Sequence, residues 1–268
     1  MNNMKTTVGF IGTGNMGSAI AVSVAKCESY RILLYDKDTD KRNALAERIN
    51  GESADLGQIA NSCDYIFLGV KPNILPEALK ELCGCIEQNS PTLISMAAGV
   101  SISKIENALP RSMPIIRIMP NTPVTYGEGM VIYSCSSAVS RESKEIFTDF
   151  MRKTGMLKEI DESLIDAATA VSGCGPAFVY MFIEAMVTAG VECGLTREDA
   201  EALATQTLIG GATMVRNSPL TSGELVKMVC SPGGSTIEGV KVLENEGMMS
   251  TVNKAVHASF EKTKLLGK

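Results

Sequence analysis

Three hydroxyl side chains and two consecutive glycines lie together near the end of this chain, in a segment that begins at Ser231 and ends at Thr236. A helical pattern begins directly afterwards, at Ile237. Consecutive glycine amides, hydroxyl groups and a helix N-terminus together form a site that suits a carboxylate or a phosphate. The alternative is an ordinary turn between two helices, with Thr236 as the N-cap of the second. The candidate anion ligands of this segment are Ser231, Gly233, Gly234, Ser235 and Thr236.

A glycine-rich turn near the start of the chain has the spacing of a dinucleotide site, Gly12-x-Gly14-x-x-Gly17. It follows an apolar, β-branched run at residues 7–11, typical of a buried parallel strand, and precedes a helical pattern at residues 15–27. In such a turn Gly12 permits the tight reversal and Gly14 lets the backbone approach a pyrophosphate, while Gly17 lets the helix pack on the strand. Three glycines alone could form a turn with no ligand, but the flanking strand and helix favour a bound dinucleotide.

The choice between NADH and NADPH depends on the charges that follow the second predicted strand, at residues 31–35. Asp36 ends this strand, where a carboxylate accepts the adenosine ribose hydroxyls and repels the 2′-phosphate of NADPH. Lys37, Lys41 and Arg42 follow closely enough to offset the charge of a phosphate, although they also suit an ordinary solvated start of a helix. We therefore expect both NAD(H) and NADP(H) to bind, with Asp36 lowering the affinity for NADP(H).

Two further segments follow predicted strands, at the edge where a doubly wound sheet binds its ligands. Val70, Lys71 and Pro72 come at the end of one strand, and Asn121 and Thr122 follow another. The prolines stiffen these turns, and Asn121 and Thr122 offer polar groups to a nicotinamide or a ribose. Lys71 is either a ligand in this crevice or a solvated surface lysine.

The cysteines and the single histidine show no catalytic or metal-binding pattern. The eight cysteines are scattered, mostly in apolar segments, which indicates reduced thiols rather than a disulfide framework. Cys83 and Cys85 form a close pair but lack the second pair that a zinc site needs. His257 lies in the polar-apolar pattern of a C-terminal helix. With one histidine and no G-x-S-x-G turn, a Ser-His-Asp hydrolase is excluded, and we expect no metal.

Charge and hydropathy bear on the partners of the chain. Its net charge of -5 gives no electrostatic reason to expect nucleic acid. No Lys/Arg-flanked apolar segment opens the sequence, so we expect no secretory signal and a cytoplasmic location. The most apolar window, residues 176–191, contains Glu184 and is short for a bilayer span. We expect a helix buried between subunits or domains, and no membrane.

The type of predicted secondary structure changes near residue 160. Before it, short β-rich runs alternate with helical patterns, which is typical of a doubly wound, largely parallel sheet. The predicted strands are residues 7–11, 31–35, 65–70, 92–96, 115–119, 130–133 and 156–159. The predicted helices between them are residues 15–27, 41–49, 74–85, 101–109 and 141–154. Beyond residue 161 the pattern predicts only helices, at residues 164–171, 176–193, 197–216, 222–228, 236–244 and 249–265. We expect a Rossmann-type α/β domain over residues 1–160, followed by an all-α domain over residues 161–268.

Six segments, in order along essentially the whole chain, together resemble pyrroline-5-carboxylate reductase. They are Phe10-Ile11-Gly12-x-Gly14-Asn15-Met16-Gly17, Val70-Lys71-Pro72, Ala97-Ala98-Gly99-Val100, Met119-Pro120-Asn121-Thr122-Pro123, Ser172-Gly173-x-Gly175-Pro176-Ala177, and the stretch 225–244 around Ser231-Pro232-Gly233-Gly234. The last stretch is similar to the signature of that family, whereas the glycine-rich turn occurs in many unrelated enzymes.

The resemblance implies the last step of proline biosynthesis, in which NAD(P)H reduces the small cyclic imine 1-pyrroline-5-carboxylate to L-proline. It implies that the Ser231 hydroxyl and the Gly233 and Gly234 amides hold the substrate carboxylate. Thr236, the candidate catalytic residue, would form a hydrogen bond near the ring nitrogen. No strong acid or base is required, because a protonated imine is already electrophilic. The cofactor contacts assigned in this way are Ile11, Gly12, Gly14, Asn15, Met16, Gly17, Asp36 and Lys37, with Val70, Lys71, Pro72, Ala97 and Asn121 lining the nicotinamide half.

The resemblance also implies that the C-terminal all-α domain is a dimerisation domain that interlocks two subunits, giving a homodimer or a larger homo-oligomer of dimers. Residues 231–236 of one subunit could then serve the cofactor domain of the other. Two positions depart from the family pattern. Cys174 stands where serine is usual in the Gly-x-Gly-Pro-Ala turn, and Asp55 lies near where relatives often have an asparagine that contacts the ribose.

Two other functions are weighed against this one. A β-hydroxyacid dehydrogenase also joins a Rossmann domain to helices, but residues 176–181 lack the lysine that this family has in the corresponding helix. A redox-sensing module would bind the dinucleotide without turning it over. The intact glycine pair Gly233-Gly234, with its neighbouring hydroxyls, argues against such a module, because sensing a dinucleotide requires no substrate site.

Overall fold

The computed structural model describes residues 5–266, over which the chain forms eight β-strands and twelve α-helices. The strands are β1 (Thr7–Ile11), β2 (Arg31–Tyr35), β3 (Glu52–Ser53), β4 (Tyr65–Leu68), β5 (Thr92–Ser95), β6 (Ile115–Pro120), β7 (Gly129–Cys135) and β8 (Gly155–Glu159). The helices are α1 (Asn15–Ala25), α2 (Thr39–Ile49), α3 (Leu56–Ser62), α4 (Leu75–Cys85), α5 (Ile102–Ala108), α6 (Arg141–Met151), α7 (Ile165–Ala168), α8 (Gly175–Glu192), α9 (Arg197–Asn217), α10 (Ser222–Val229), α11 (Ser235–Asn245) and α12 (Met248–Leu266).

The fold is α/β, and all eight strands belong to one sheet with the order β3-β2-β1-β4-β5-β6-β7-β8. Every pair of neighbours is parallel except β6 and β7, which are antiparallel. The chain moves outward from β1 to β3 and then returns to place β4 on the other side of β1. This reversal creates a crevice at the carboxyl ends of β1 and β4, where doubly wound sheets bind their ligands. The predicted Rossmann-type fold is confirmed.

Helices cover both faces of the sheet, so its central strands are buried on both sides. One apolar cluster joins β1 and β4 to α1, α2 and α6, and the rings of Phe10 and Phe67 stack within it at 4.5 Å. A second cluster joins the opposite faces of the same strands to α3, α4 and α5. All five residues of β1 are buried. This double burial explains the continuous apolar runs from which the strands were predicted.

The sequence analysis missed β3 and α3. β3 has only two residues, both polar and exposed, and it exists because Leu33 and Leu34 of β2 pair with it. α3 is seven residues long, too short for a clear helical period. A readable signal was present, however, because Asp55 and Gln58 form a capping box, in which each side chain bonds the backbone N–H of the other residue.

One predicted helix takes a different form. Residues 164–171 were expected to form a regular helix, but the four residues of α7 are followed by a π-helical turn at Thr169–Gly173. The amide of Cys174 donates to the Thr169 carbonyl at 3.0 Å, which closes this wider turn. The predicted end of β4 at Val70 is also wrong, since the strand ends at Leu68 and Val70 belongs to the following loop.

The chain divides into two compact units. One extends to Cys174 and includes the last part of the chain from Ser259, while the other comprises Gly175–Ala258. The predicted domain boundary at residue 160 therefore lies inside the first unit. Within the second unit α8 and α9 pack on each other through a small core of Val187, Ala200 and Ala204, next to Ile183.

Candidate active site

The glycine-rich turn has the geometry of a dinucleotide site. Gly12 has φ +93°, and a Cβ atom there would lie 2.8 Å from the carbonyl oxygen of Gly69, so only glycine fits. A Cβ on Gly17 would lie 2.4 Å from the carbonyl oxygen of Gly12, which explains the close packing of α1 on the turn. Gly14 is the N-cap of α1 with no side-chain cap, and open space lies beside it. The first turn of α1, which begins at Asn15, therefore leaves backbone N–H groups that suit a phosphate.

Asp36 is fixed at the end of β2 by three hydrogen bonds. One carboxylate oxygen accepts from the Thr13 amide at 2.6 Å and from the Thr13 hydroxyl at 2.9 Å, and the other accepts from the Asp38 amide at 2.9 Å. Partial burial alone would raise the pKa of Asp36, but the hydrogen bonds from Thr13 and Asp38 outweigh it and lower the pKa. Asp36 is thus an ionised, oriented acceptor, and its bond to a ribose stays a prediction.

The crevice beside this turn contains a cavity of about 240 Å³. Seven predicted cofactor residues line it together: Ile11, Gly12, Gly14, Asp36, Lys37, Val70 and Lys71. The sequence analysis did not find its other lining residues, which are Tyr35, Leu56, Gly69, Ile74, Ala78 and Glu81. Ile74 and Ala78 belong to the start of α4 and supply an apolar wall. Because a purine ring needs apolar surface and a ribose needs polar groups, the cavity suits the adenosine half of a dinucleotide.

The remaining predicted cofactor residues do not line this cavity. Asn15 lines a neighbouring groove between α1 and α2, and Met16 packs against the core. Pro72 lines a second cavity beside α4 and α5. Ala97 is 2% exposed, so its side chain is not available to a ligand. Gly17 is buried under the turn and acts on the site through packing.

Asn121 was expected to face the nicotinamide, and its side-chain amide already bridges two segments of the protein. Its Nδ2 donates to the Ser172 carbonyl at 2.9 Å, and its Oδ1 accepts from the Met130 amide at 2.8 Å. The side chain thereby joins the end of β6, the start of β7 and the π-helical turn. A contact between Asn121 and the nicotinamide stays a prediction.

Arg117 is a buried charged residue that the sequence analysis missed. It is 4% exposed on β6, and its guanidinium bonds Glu162 Oε1 at 3.1 Å and Asp166 Oδ1 at 3.3 Å. Glu162 Oε1 also accepts from the Ile102 amide at 2.7 Å, at the start of α5. One buried cation thus ties the sheet to α5 and to the segment before the π-helical turn. The signal that could have revealed it is a lone arginine within the apolar strand Ile115–Pro120.

The segment 231–236 forms a turn followed directly by a helix. Gly234, with no side-chain cap, is the N-cap of α11, so the alternative assignment of Thr236 as N-cap is wrong. Gly233 has φ +74° and leaves open space where a side chain would lie. The Gly234 amide donates to the Ser231 carbonyl at 3.0 Å within the turn. The uncapped amides of Ser235 and Thr236 begin the helix, and an anion there would meet the positive end of its dipole.

Of the two departures from the family pattern, Asp55 has a local explanation, and nothing in the structure explains Cys174. Asp55 is the N-cap of α3, and its Oδ1 accepts from the Gln58 amide at 2.8 Å, so this carboxylate has a structural role. Cys174 follows the π-helical turn and is half-buried. Among residues 5–266, no group of three or more His, Cys, Asp and Glu side chains is arranged to hold a metal ion.

The second unit exposes a large apolar surface. Along α8 only Val187 is buried, while Tyr180 and Met181 are 57% and 74% exposed. The run 162–192, which begins in the first unit, contains an 18-residue window with a mean hydropathy of 1.5 and is long and apolar enough to cross a membrane by length and composition alone. Contacts between subunits would cover the same surface.

Comparisons with known proteins agree with this geometry. A family model described as pyrroline-5-carboxylate reductase dimerisation matches residues 162–266, and one described as coenzyme F420-dependent NADP oxidoreductase matches residues 7–99. Pyrroline-5-carboxylate reductase of Aquifex aeolicus (strain VF5) is 36% identical over 260 residues, which cover 97% of each protein. A crystal structure of Plasmodium falciparum pyrroline carboxylate reductase with NADP bound is 35% identical, covers 100% of both chains and has a TM-score of 0.86. A structure of pyrroline-5-carboxylate reductase from Coxiella burnetii is 31% identical, covers 99% of this chain and 100% of that one, and has a TM-score of 0.90.

Proposed function

Because this chain belongs to the pyrroline-5-carboxylate reductase family, we propose that it reduces 1-pyrroline-5-carboxylate to L-proline, the last step of proline biosynthesis. The proposal is carried by the 36% identity to the Aquifex aeolicus enzyme, which extends over 97% of the chain and so includes both the glycine-rich turn and the segment 231–236. The chain is an NAD(P)H-dependent oxidoreductase with a Rossmann-type cofactor domain. A β-hydroxyacid dehydrogenase and a non-catalytic sensor are both disfavoured by this membership.

The glycine turn fits the cofactor on geometric grounds, since Cβ atoms are excluded at Gly12 and Gly17 and space is left beside Gly14. When bound, NAD(P)H supplies the hydride that reduces the carbon of the imine bond. The backbone N–H groups at the start of α1 hold the pyrophosphate, and the walls of the crevice keep water from the reacting atoms. Lys71 follows β4 in the same crevice, where its ammonium group attracts the phosphates.

The segment 231–236 holds the substrate in this proposal. The Ser231 hydroxyl, the Gly233 amide and the first amides of α11 bind the carboxylate. The Gly234 amide already donates to the Ser231 carbonyl and is not free for the carboxylate. Gly234 contributes instead by closing the turn, in which Gly233 has a positive φ. Thr236 directs its hydroxyl to the ring nitrogen, which keeps its proton as the imine becomes an amine. Orientation and charge complementarity therefore perform the catalysis, and no protein group must transfer a proton to carbon.

We propose that the substrate-binding and dimerisation domain begins at residue 161. The family model that starts at residue 162 supports this boundary, and the exposed apolar side chains of α8 supply a surface for a second subunit. The protein forms a homo-oligomer of at least two subunits. We further propose no nucleic-acid partner, which the net charge of -5 supports, and a cytoplasmic location, which the scattered cysteines in apolar segments support. We also propose no membrane partner, because the apolar window 176–191 contains Glu184 and is short for a bilayer span.

Steady-state oxidation of NADH and of NADPH by the purified protein, with pyrroline-5-carboxylate as substrate, tests the proposed activity. We expect one L-proline to form for each NAD(P)H oxidised. With oxidised cofactor and small hydroxy acids as substrates, we expect a kcat/KM at least about a hundredfold lower than that for the imine. Preference for a hydroxy acid would favour the dehydrogenase alternative. Tight binding of the dinucleotide without turnover would favour the sensor.

A further inference from the structure

Lys37 occupies the position from which a cation would bind the 2′-phosphate of NADPH. It follows Asp36 at the end of β2, and both side chains line the cavity beside Gly14. In dinucleotide folds the residues at this position contact the adenosine ribose, and a nearby cation accommodates the 2′-phosphate. The structure shows, however, that two other groups compete for the Lys37 ammonium.

Two carboxylates of α4 bind Lys37. Its Nζ lies 3.4 Å from Glu81 Oε1 and 3.6 Å from Glu77 Oε1. Glu81, and after it Glu77, raise the pKa of Lys37, because both favour the charged ammonium. Glu81 also lines the cavity itself. The ammonium is therefore already paired with two carboxylates of the protein, and two carboxylates, those of Asp36 and Glu81, line the cavity that a 2′-phosphate would enter.

Two other cations near β2, Arg42 and Lys41, do not line this cavity. Arg42 donates from Nη1 to the Ala54 carbonyl at 3.4 Å, and its Nε is buried without a partner in the described chain. Lys41 lines the neighbouring groove between α1 and α2, from which its charge still helps to lower the pKa of Asp36. Lys71 is the remaining cation that lines the cavity, which it shares with two carboxylates, those of Asp36 and Glu81, and with the already paired Lys37.

We propose that Glu77 and Glu81 are cofactor-specificity residues, which hold Lys37 away from the 2′-phosphate and make this enzyme prefer NADH to NADPH. A 2′-phosphate would have to displace two carboxylates from Lys37 and lie close to Asp36. A 2′-hydroxyl meets no such repulsion and can donate a hydrogen bond to a carboxylate. The proposal rests on the dinucleotide site and not on the imine reaction, so binding without substrate tests it separately.

The test compares two fragments that differ only in the 2′-phosphate, 5′-AMP and 2′,5′-ADP, by calorimetric titration of the full chain. We expect the wild-type protein to bind 5′-AMP at least as tightly as 2′,5′-ADP. The double variant Glu77→Gln/Glu81→Gln should bind 2′,5′-ADP at least about tenfold more tightly than the wild type, while its affinity for 5′-AMP changes less than about twofold. The ratio of kcat/KM for NADPH over NADH should rise by a similar factor.

Two controls separate local competition from a change in net charge. Glu87→Gln/Glu106→Gln removes the same charge from positions outside the cavity and should leave the fragment ratio unchanged. Adding Lys37→Gln to the Glu77→Gln/Glu81→Gln variant should abolish most of the gain for 2′,5′-ADP, because the released ammonium is its source. A wild-type preference for 2′,5′-ADP, an unchanged ratio in the double variant, or a gain that persists without Lys37 would each overturn the proposal. If the fragments bind as proposed but the protein does not reduce the imine, only the proposed reaction is contradicted.

Discussion

The two compact units differ in how much of their apolar surface they bury within one chain. In the first unit every residue of β1, β4 and β5 is buried, and helices cover both faces of the sheet. In the second, α8 buries only Val187, and no residue of α10 or α11, both of which are fully described, is buried. The first unit thus completes its core from its own sequence, whereas the second needs another polypeptide. This contrast agrees with the family model for dimerisation at residues 162–266.

The largest expected effect concerns Gly17, where the first unit is most tightly packed. Gly17→Ala places a Cβ 2.4 Å from the Gly12 carbonyl oxygen, so the turn must shift. We expect a loss of about 3 kcal/mol in the free energy of unfolding and at least about a hundredfold loss of cofactor affinity. Gly14→Ala is the matched variant, because open space lies beside Gly14. It should weaken cofactor binding but change unfolding by less than about 0.5 kcal/mol. Denaturant unfolding and cofactor titration measure both effects, and equal destabilisation by the two variants would contradict the packing role of Gly17.

The second prediction tests whether the apolar surface of the helical unit is an interface. Met181 of α8 is 74% exposed, and Met181→Glu would bury an unpaired charge between subunits. We expect the dimer to dissociate at least about a hundredfold more readily, with a parallel loss of activity at low protein concentration. Met156→Glu, at a 54% exposed methionine of the first unit, is the control. Light scattering over a concentration series measures dissociation. If the two variants dissociate equally, α8 is not part of the interface.

A smaller effect is expected from substitution of Thr236. This substitution tests whether the Thr236 hydroxyl contacts the substrate or only stabilises the start of a helix. Thr236→Ala should lower kcat/KM for the imine by about 1.5 to 3 kcal/mol, roughly ten- to a hundredfold, with cofactor affinity nearly unchanged. Stability should be preserved, because Gly234 and not Thr236 is the N-cap of α11. Thr221→Ala is the control for loss of a helix cap, because Thr221 forms a capping box with Glu224 at the start of α10. It should lower stability by about 1 kcal/mol and leave kcat/KM intact. Wild-type kcat/KM in Thr236→Ala would exclude the proposed role.

The smallest expected effect is at Asp36, in the cavity of the first unit. Asp36→Ser removes the negative charge that we expect to face the 2′ position, and it should shift the ratio of kcat/KM values toward NADPH by at least about tenfold, or about 1.4 kcal/mol. It also removes the acceptor for the Thr13 amide and hydroxyl, so some stability is lost. Asp40→Ser, in the exposed first turn of α2, is the charge control. Steady-state kinetics with both cofactors measure the ratio, and a ratio unmoved by Asp36→Ser would show that Asp36 does not face the ribose.

Much of the cofactor site could be predicted because its signals are local. The glycine spacing reports backbone conformation within a few residues, and the apolar runs of β1 and β4 report burial on both faces of a sheet. Seven predicted residues accordingly line one cavity. The roles of Asn121 and Lys37 could not be predicted in this way. Each depends on partners far along the chain, Ser172 for Asn121 and the two α4 glutamates for Lys37.

The sequence by itself determined the sheet-forming runs, the dinucleotide turn and the helical second half, because β-branched runs, glycine spacing and helical periodicity act over short distances. Only the tertiary structure decided which polar groups are left for a ligand. Folding brings Thr13 to Asp36, Glu162 to Arg117, and α4 to Lys37. A polar side chain bonds whichever partner the fold brings within about 3 Å, and that partner can lie anywhere in the sequence. Residue type therefore predicted the kind of chemistry, and three-dimensional proximity decided which residues are available to perform it.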